Sequence, residues 1–203
     1  MSTTAQRSTL KFLPFAALLV SSASYAQGFV PFTFWNNQGA GAGHKIFVTS
    51  TSNHTGNLGG LTGADAICAA RAASGGLPGT FKAILSSDSE SAKDRLVITG
   101  AVYNNHPSPG LVAANAAALW SGSIGAAPRY DEYGTMQAQE AWTGSSGLGV
   151  TASGMTCNSW STDSSGFNGN AGYPSATNSQ WLDHALFTMT YCGYLKRLYC
   201  ISQ

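Results

Sequence analysis

The chain has 203 residues, a formal net charge of +1, only 9% charged side chains and 24 glycines. A balance this close to neutral gives no electrostatic footprint for nucleic acid or an anionic membrane surface, so neither partner is expected. Surface polarity must come from Gly, Ser, Thr and Asn instead, as in many secreted domains rich in β structure and long loops.

Residues 1–26 read as a signal peptide: Arg7 and Lys11 supply a positive start, 12–20 an apolar core, and Ser24-Tyr25-Ala26 a small-residue cleavage site. The apolar run is broken by Pro14 and is shorter than the roughly 20 residues a bilayer crossing needs, so no membrane span is expected after cleavage. No cysteine follows the core, which speaks against a lipoprotein anchor. Export to the periplasm, the cell surface or the medium is the expected localisation. Residues 27–203 would remain, a length suited to one domain with a substantial core. All four cysteines, Cys68, Cys157, Cys192 and Cys200, lie in that part. An even number in an exported chain points to disulfides; no CxxC pair or Cys/His cluster at zinc-ligand spacing occurs. Four cysteines allow three pairings, and the sequence does not choose among them.

Residues 27–44 pass from an aromatic run (Phe29, Phe32, Phe34, Trp35) into a glycine-alanine linker, an N-terminal extension ahead of a domain at 45–203. KIFVTST, 45–51, reads as the first strand. In GGLTGADAICAARAASGG a helix is expected with Thr62 as N-cap, Asp65 three positions on and Gly75 as the stop. Its face of Ala64, Ile67, Cys68 and Ala72 would be buried. TFKAILS, 80–86, alternates Phe81, Ala83 and Leu85 as a half-buried strand. Residues 87–110 read as a polar loop, and LVAANAAALW, 111–120, as a second, alanine-rich helix. Beyond Gly122 short apolar runs alternate with glycine and asparagine turns, and Tyr194, Leu195, Leu198, Tyr199 and Ile201 form a closing strand pinned by Cys200. Two early helices followed by irregular, mostly antiparallel β structure define an α+β class.

Together, GGLTGADAIC, GLPGTFKAILSS, AALWSG, AWTGSSGLG, TCNSW and LYCI resemble, in order, the endostatin domain and the bacterial endostatin-like exported proteins. The resemblance covers 45–203 and implies a single C-type lectin-like domain. It also implies nested disulfides, Cys68 with Cys200 and Cys157 with Cys192, so that the early helix clamps the end of the fold. Its functional implication is a noncatalytic exported binding module, adhesin-like, for an extracellular protein or glycan. The alternatives are a structural envelope or secreted protein, and then a hydrolase.

The residues offer little for catalysis: there is no G-x-S-x-G elbow, and His184 beside Asp183 reads as solvent-facing polar filler, since neighbours on a strand point apart. No metal site and no cofactor are expected; Asp163, Asn168 and Asn170 lack the DxDxDG calcium pattern, and the histidines lack a ligand motif. Arg71, Arg95, Arg129 and Arg197 are too scattered to carry over the heparin binding of vertebrate endostatin. Trp120, Trp142 and Trp160 read as core, whereas Asp163, Phe167, Tyr173 and Trp181, between Cys157 and Cys192, are the candidate ligand-binding residues.

Overall fold

The structure is a computed structural model and describes residues 1–2, 43–184 and 190–203. The chain divides into two compact units, Met1–Asn37 and Gln38–Gln203. The expected signal peptide and nearly all of the 27–44 extension lie outside the described residues, and the architecture below belongs to the second unit.

That unit is α+β, built on a curled mixed sheet of seven short strands: β1 His44–Val48, β2 Phe81–Ala83, β3 Val102–Asn104, β4 Leu111–Ala113, β5 Ala141–Trp142, β6 Ala171–Gly172 and β7 Arg197–Ser202. The order is β4-β3-β1-β7-β5-β6, with β2 also bonded to β7. The helices are α1 Gly60–Ser74, α2 Ala92–Arg95, α3 Ala116–Leu119 and α4 Cys157–Trp160. The last strand is thus the hub rather than an edge. It pairs antiparallel with β1 (Phe47↔Cys200) and β2 (Ala83↔Cys200), and parallel with β5 (Trp142↔Leu198).

Burial on both faces explains why β7 reads as a continuous apolar run. Its residues alternate between two cores, as the period of two requires. Tyr199 and Ile201 join Ile46, Val48, Ile84, Trp120 and Trp181 on one side. Leu198 and Cys200 join Phe47, Phe81, Ala83, Leu85, Trp142 and Trp160 on the other, where Ala64, Cys68 and Ala72 of α1 also pack. The expected face of α1 is therefore the one buried, with Ile67 packed at the margin, whereas the 80–86 stretch is not half-buried: only Phe81–Ala83 is strand, and Ile84 and Ser86 are buried along with Phe81, Ala83 and Leu85. Two disulfides, Cys68–Cys200 and Cys157–Cys192, span 132 and 35 residues and form the nested pattern.

The start of α1 differs from the expectation. The helix begins at Gly60, two residues before Thr62, with Gly59 at φ 77° as N-cap and no side-chain cap. The Gly59-Gly60 pair takes positive φ at little cost and turns the chain directly into the helix. Gly63 lets that turn close, since a Cβ there would sit 2.0 Å from the Leu58 carbonyl oxygen. Asp65, freed from capping, accepts from the Ala83 N–H (2.9 Å) and from Arg95 Nη2 (2.7 Å), joining α1 to β2 and α2. Gly75 ends the helix as expected.

Two further segments fold otherwise than their composition indicates. The polar stretch 87–110 contains α2, capped by Ser91, whose side chain accepts from the Asp94 N–H, and β3, which runs parallel to β1. In 111–120 only Ala116–Leu119 is helical, capped by Asn115 through the Ala118 N–H (2.9 Å); Leu111–Ala113 pairs antiparallel with β3 as β4. Edge pairing here overrides the helix preference of alanine, and Asn115 marks the switch.

The α4 segment is a single left-handed turn: Cys157, Asn158, Ser159 and Trp160 have φ of 50°, 52°, 54° and 65°. Left-handed backbone costs an L-residue about 1–2 kcal/mol, so the turn persists only where its surroundings overdetermine it. Asp88 does so from outside, accepting from Thr156 Oγ1 (2.5 Å) and Ser159 Oγ (2.8 Å). From inside, buried Trp160 donates its Nε1–H to the Ser86 carbonyl (2.6 Å), and Cys157 is tied to Cys192.

Candidate binding surface

Residues 190–196 are threaded between two backbone partners. On one side the Gly169 N–H donates to Thr190 O (2.9 Å) and the Cys192 N–H to Phe167 O (3.1 Å). On the other, the Gly56 N–H donates to Cys192 O (2.6 Å), and His54 and Lys196 exchange N–H···O bonds of 3.2 and 2.9 Å. Gly56 is required at the crossing, because a Cβ there would lie 2.4 Å from Cys157 Sγ. The Cys157–Cys192 disulfide fixes the middle of the segment to the left-handed turn.

On this fixed frame the large side chains point outward. Phe167, Tyr191, Tyr194 and Leu195 are 46%, 42%, 52% and 53% exposed. A turn closes from the Tyr194 N–H to Tyr191 O (3.0 Å) around Gly193, and sets the two tyrosine rings edge to face at 5.9 Å. Single exposed apolar residues are ordinary on protein surfaces, whereas several on two bonded segments make this the candidate surface. Exposed Asp163 borders it, its carbonyl oxygen close against Gly193. The Asn168 Oδ1 atom beneath is buried and has no hydrogen-bond partner among the described residues.

A charged cluster follows directly after Leu195. Glu140 binds Lys196 Nζ with one carboxylate oxygen and His184 Nδ1 with the other, each at 2.5 Å. Burial alone would raise the Glu140 carboxyl, but hydrogen bonds from Lys196 and His184, together with their charges, hold it below the usual carboxylate range. The Tyr173 ring stacks on the His184 imidazole at 5.3 Å, and Lys196 Nζ lies 5.4 Å from the centre of the Trp142 ring.

The structure separates the four sequence-derived candidates. Asp163 and Phe167 belong to the aromatic surface, and Tyr173 to the adjoining charged cluster. Trp181 belongs to neither: it is 0% exposed, stacked on Trp120 at 6.4 Å and edge-on to Tyr199 at 5.8 Å. Its polar neighbours in NSQWLDH suggest a displayed loop, but a 3₁₀ turn over Ser179–Trp181, capped by Asn178, rotates the indole into the core. Burying so large a side chain outweighs its polar setting. Trp120, Trp142 and Trp160 are core residues, as expected. His184 and Asp183 lie in no strand, and neither is solvent-facing filler, for Asp183 accepts from Asn170 Nδ2 (2.9 Å) while His184 engages Glu140.

Tyr191, Tyr194 and Leu195 are surface residues that the sequence reading missed. Tyr194 and Leu195 were expected in the closing strand, which in fact begins at Arg197. Gly193, set between the two tyrosines, was the available signal for a turn. Among the described residues no group of three or more His, Cys, Asp and Glu is placed to hold a metal ion, and no helix is long and apolar enough to cross a membrane. Comparison with protein-family models and with curated protein sequences finds no match.

Proposed function

We propose that the chain is an exported, noncatalytic binding module with an endostatin-like, C-type lectin-like domain, and that it recognises an extracellular protein or glycan through the surface around Cys192. The observation that carries this reading is the group of outward aromatic side chains, Phe167, Tyr191 and Tyr194, on backbone held by a disulfide and ladders on both sides. Such a frame has little conformational freedom left to lose on binding, so contact area converts more fully into affinity. Tyrosine suits the role, being amphipathic and carrying few rotatable bonds. The histidines outside the charged cluster are engaged in the scaffold: His44 with Ser202 O and Thr99, His54 with Thr51, and His106 with Ser108.

A screen of the folded protein against glycans and matrix proteins tests the reading. Tyr191→Ala and Tyr194→Ala should each weaken the strongest interaction by about tenfold, or ~1.4 kcal/mol, with the unfolding midpoint unchanged. Lys196 and Glu140 already neutralise one another, so affinity should change little between low and moderate salt. Affinity indifferent to both tyrosines, or lost steeply with salt, would reject the site.

A further inference from the structure

His54 is the residue through which three parts of the fold meet behind the aromatic surface. Its N–H and C=O exchange hydrogen bonds with Lys196, at the end of the 190–196 segment, and its C=O also accepts the Trp142 indole N–H of β5 at 2.9 Å. The imidazole Nε2 bonds Thr51 Oγ1 at 3.0 Å. That loop is itself tied to β7, since Thr49 Oγ1 donates to Thr51 O (2.8 Å) and accepts from the Leu198 N–H (3.1 Å). The ring therefore braces the loop whose backbone holds the binding segment.

The charges around it are already matched. Arg71, at the end of α1, pairs with Glu132 from the loop before β5 and bonds Ser50. Arg197 of β7 donates to Thr49 O and Ser50 O, with Asp131 and Glu132 acting on it. Lys196, ahead of β7, is committed to Glu140. A proton added to His54 would place a second cation within reach of the Arg71 charge, whose carboxylate partner Glu132 is already taken, in a half-buried site. We infer that His54 is an acid-sensitive latch: neutral, it holds the 190–196 segment in place, and on taking up a proton it leaves its seat and loosens that segment. The consequence for ligand release rests on the proposed binding function, but the latch itself does not.

Burial first, and the Arg71 charge second, push the His54 pKa below the usual histidine value of 6.5. A base whose folded pKa is depressed contributes stability that is in place above the unfolded value and is lost as pH falls through the folded value. Loosening should thus set in below pH 6.5, ahead of ordinary carboxylate titration.

Amide hydrogen exchange without any ligand tests the latch, which keeps it distinguishable from a failure of the binding reading. Between about pH 7.5 and about pH 5, after correction for intrinsic rates, the amides of His54, Gly56 and Lys196 and the Trp142 indole N–H should lose protection several-fold. The Ile46 and Ile201 amides, remote from the ring, should hold theirs. In His54→Gln the pH dependence should vanish. If that variant fails to fold, the His54 ring resonances of the unaltered protein decide, because their titration must coincide with the loss of protection. Unchanged protection at low pH, an equal loss in His54→Gln, or a ring that titrates apart from the amides would overturn the inference.

Discussion

Replacing Cys68 and Cys200 together by Ala should lower the unfolding free energy by about 5 kcal/mol, the chain-entropy value for a loop of 132 residues, read as a shift of the denaturant midpoint. The bond joins α1 to the hub strand, on which β1, β2 and β5 all depend for pairing. A loss of that size is a large part of the stability of an ordinary domain, so the variant should be largely unfolded at growth temperature. Removing Cys157 and Cys192 opens a loop of 35 residues and should cost less, about 4 kcal/mol by the same relation. The second pair should cost binding as well, because it fixes the segment carrying Tyr191 and Tyr194 and restrains the left-handed turn. Equal midpoints for the first variant and the parent protein would contradict the clamp.

Trp181→Ala should destabilise the protein by about 3–5 kcal/mol, the usual range for a fully buried indole, rather than reduce affinity in a stable fold. The indole fills the space between Trp120 and Tyr199, and its removal leaves a cavity in the core that also holds Ile46 and Ile201. Tyr194→Ala, on the exposed turn, should stay within about 0.5 kcal/mol of the parent in stability. Chemical denaturation of the two variants side by side separates core from surface. A stable Trp181→Ala protein with impaired binding would return that residue to the site.

What could be read from the sequence follows from element length. The 15-residue α1 and the six-residue β7 are long enough to show which residues share a face, and both were recognisable, down to Cys68 on the buried face. Strands of two or three residues and helices of four cannot display a period, so β3, β4 and α2 were hidden in polar or alanine-rich stretches, and α3 was read as a helix extended over β4. Caps failed as signals where tertiary bonds had a stronger claim, as when Asp65 serves Ala83 and Arg95 instead of its own helix. For the site, the loop between Cys157 and Cys192 led to Asp163 and Phe167, but burial cannot be read from one tryptophan in polar company. Tyr191, Tyr194 and Leu195 were obscured by the apolar strand that follows them, because the change from displayed turn to buried hub turns on Gly193 and on partners far away in sequence.

The most direct measurement is a hydrogen-exchange footprint of the folded protein at neutral pH, with and without the tightest-binding glycan or matrix protein from the screen. The account predicts new protection confined to 163–169 and 190–196, spreading no further than Tyr173 and Glu140. Protection centred instead on the β3 and β4 edge, or on the exposed Tyr133 and Met136 loop, with 190–196 unchanged, would contradict it.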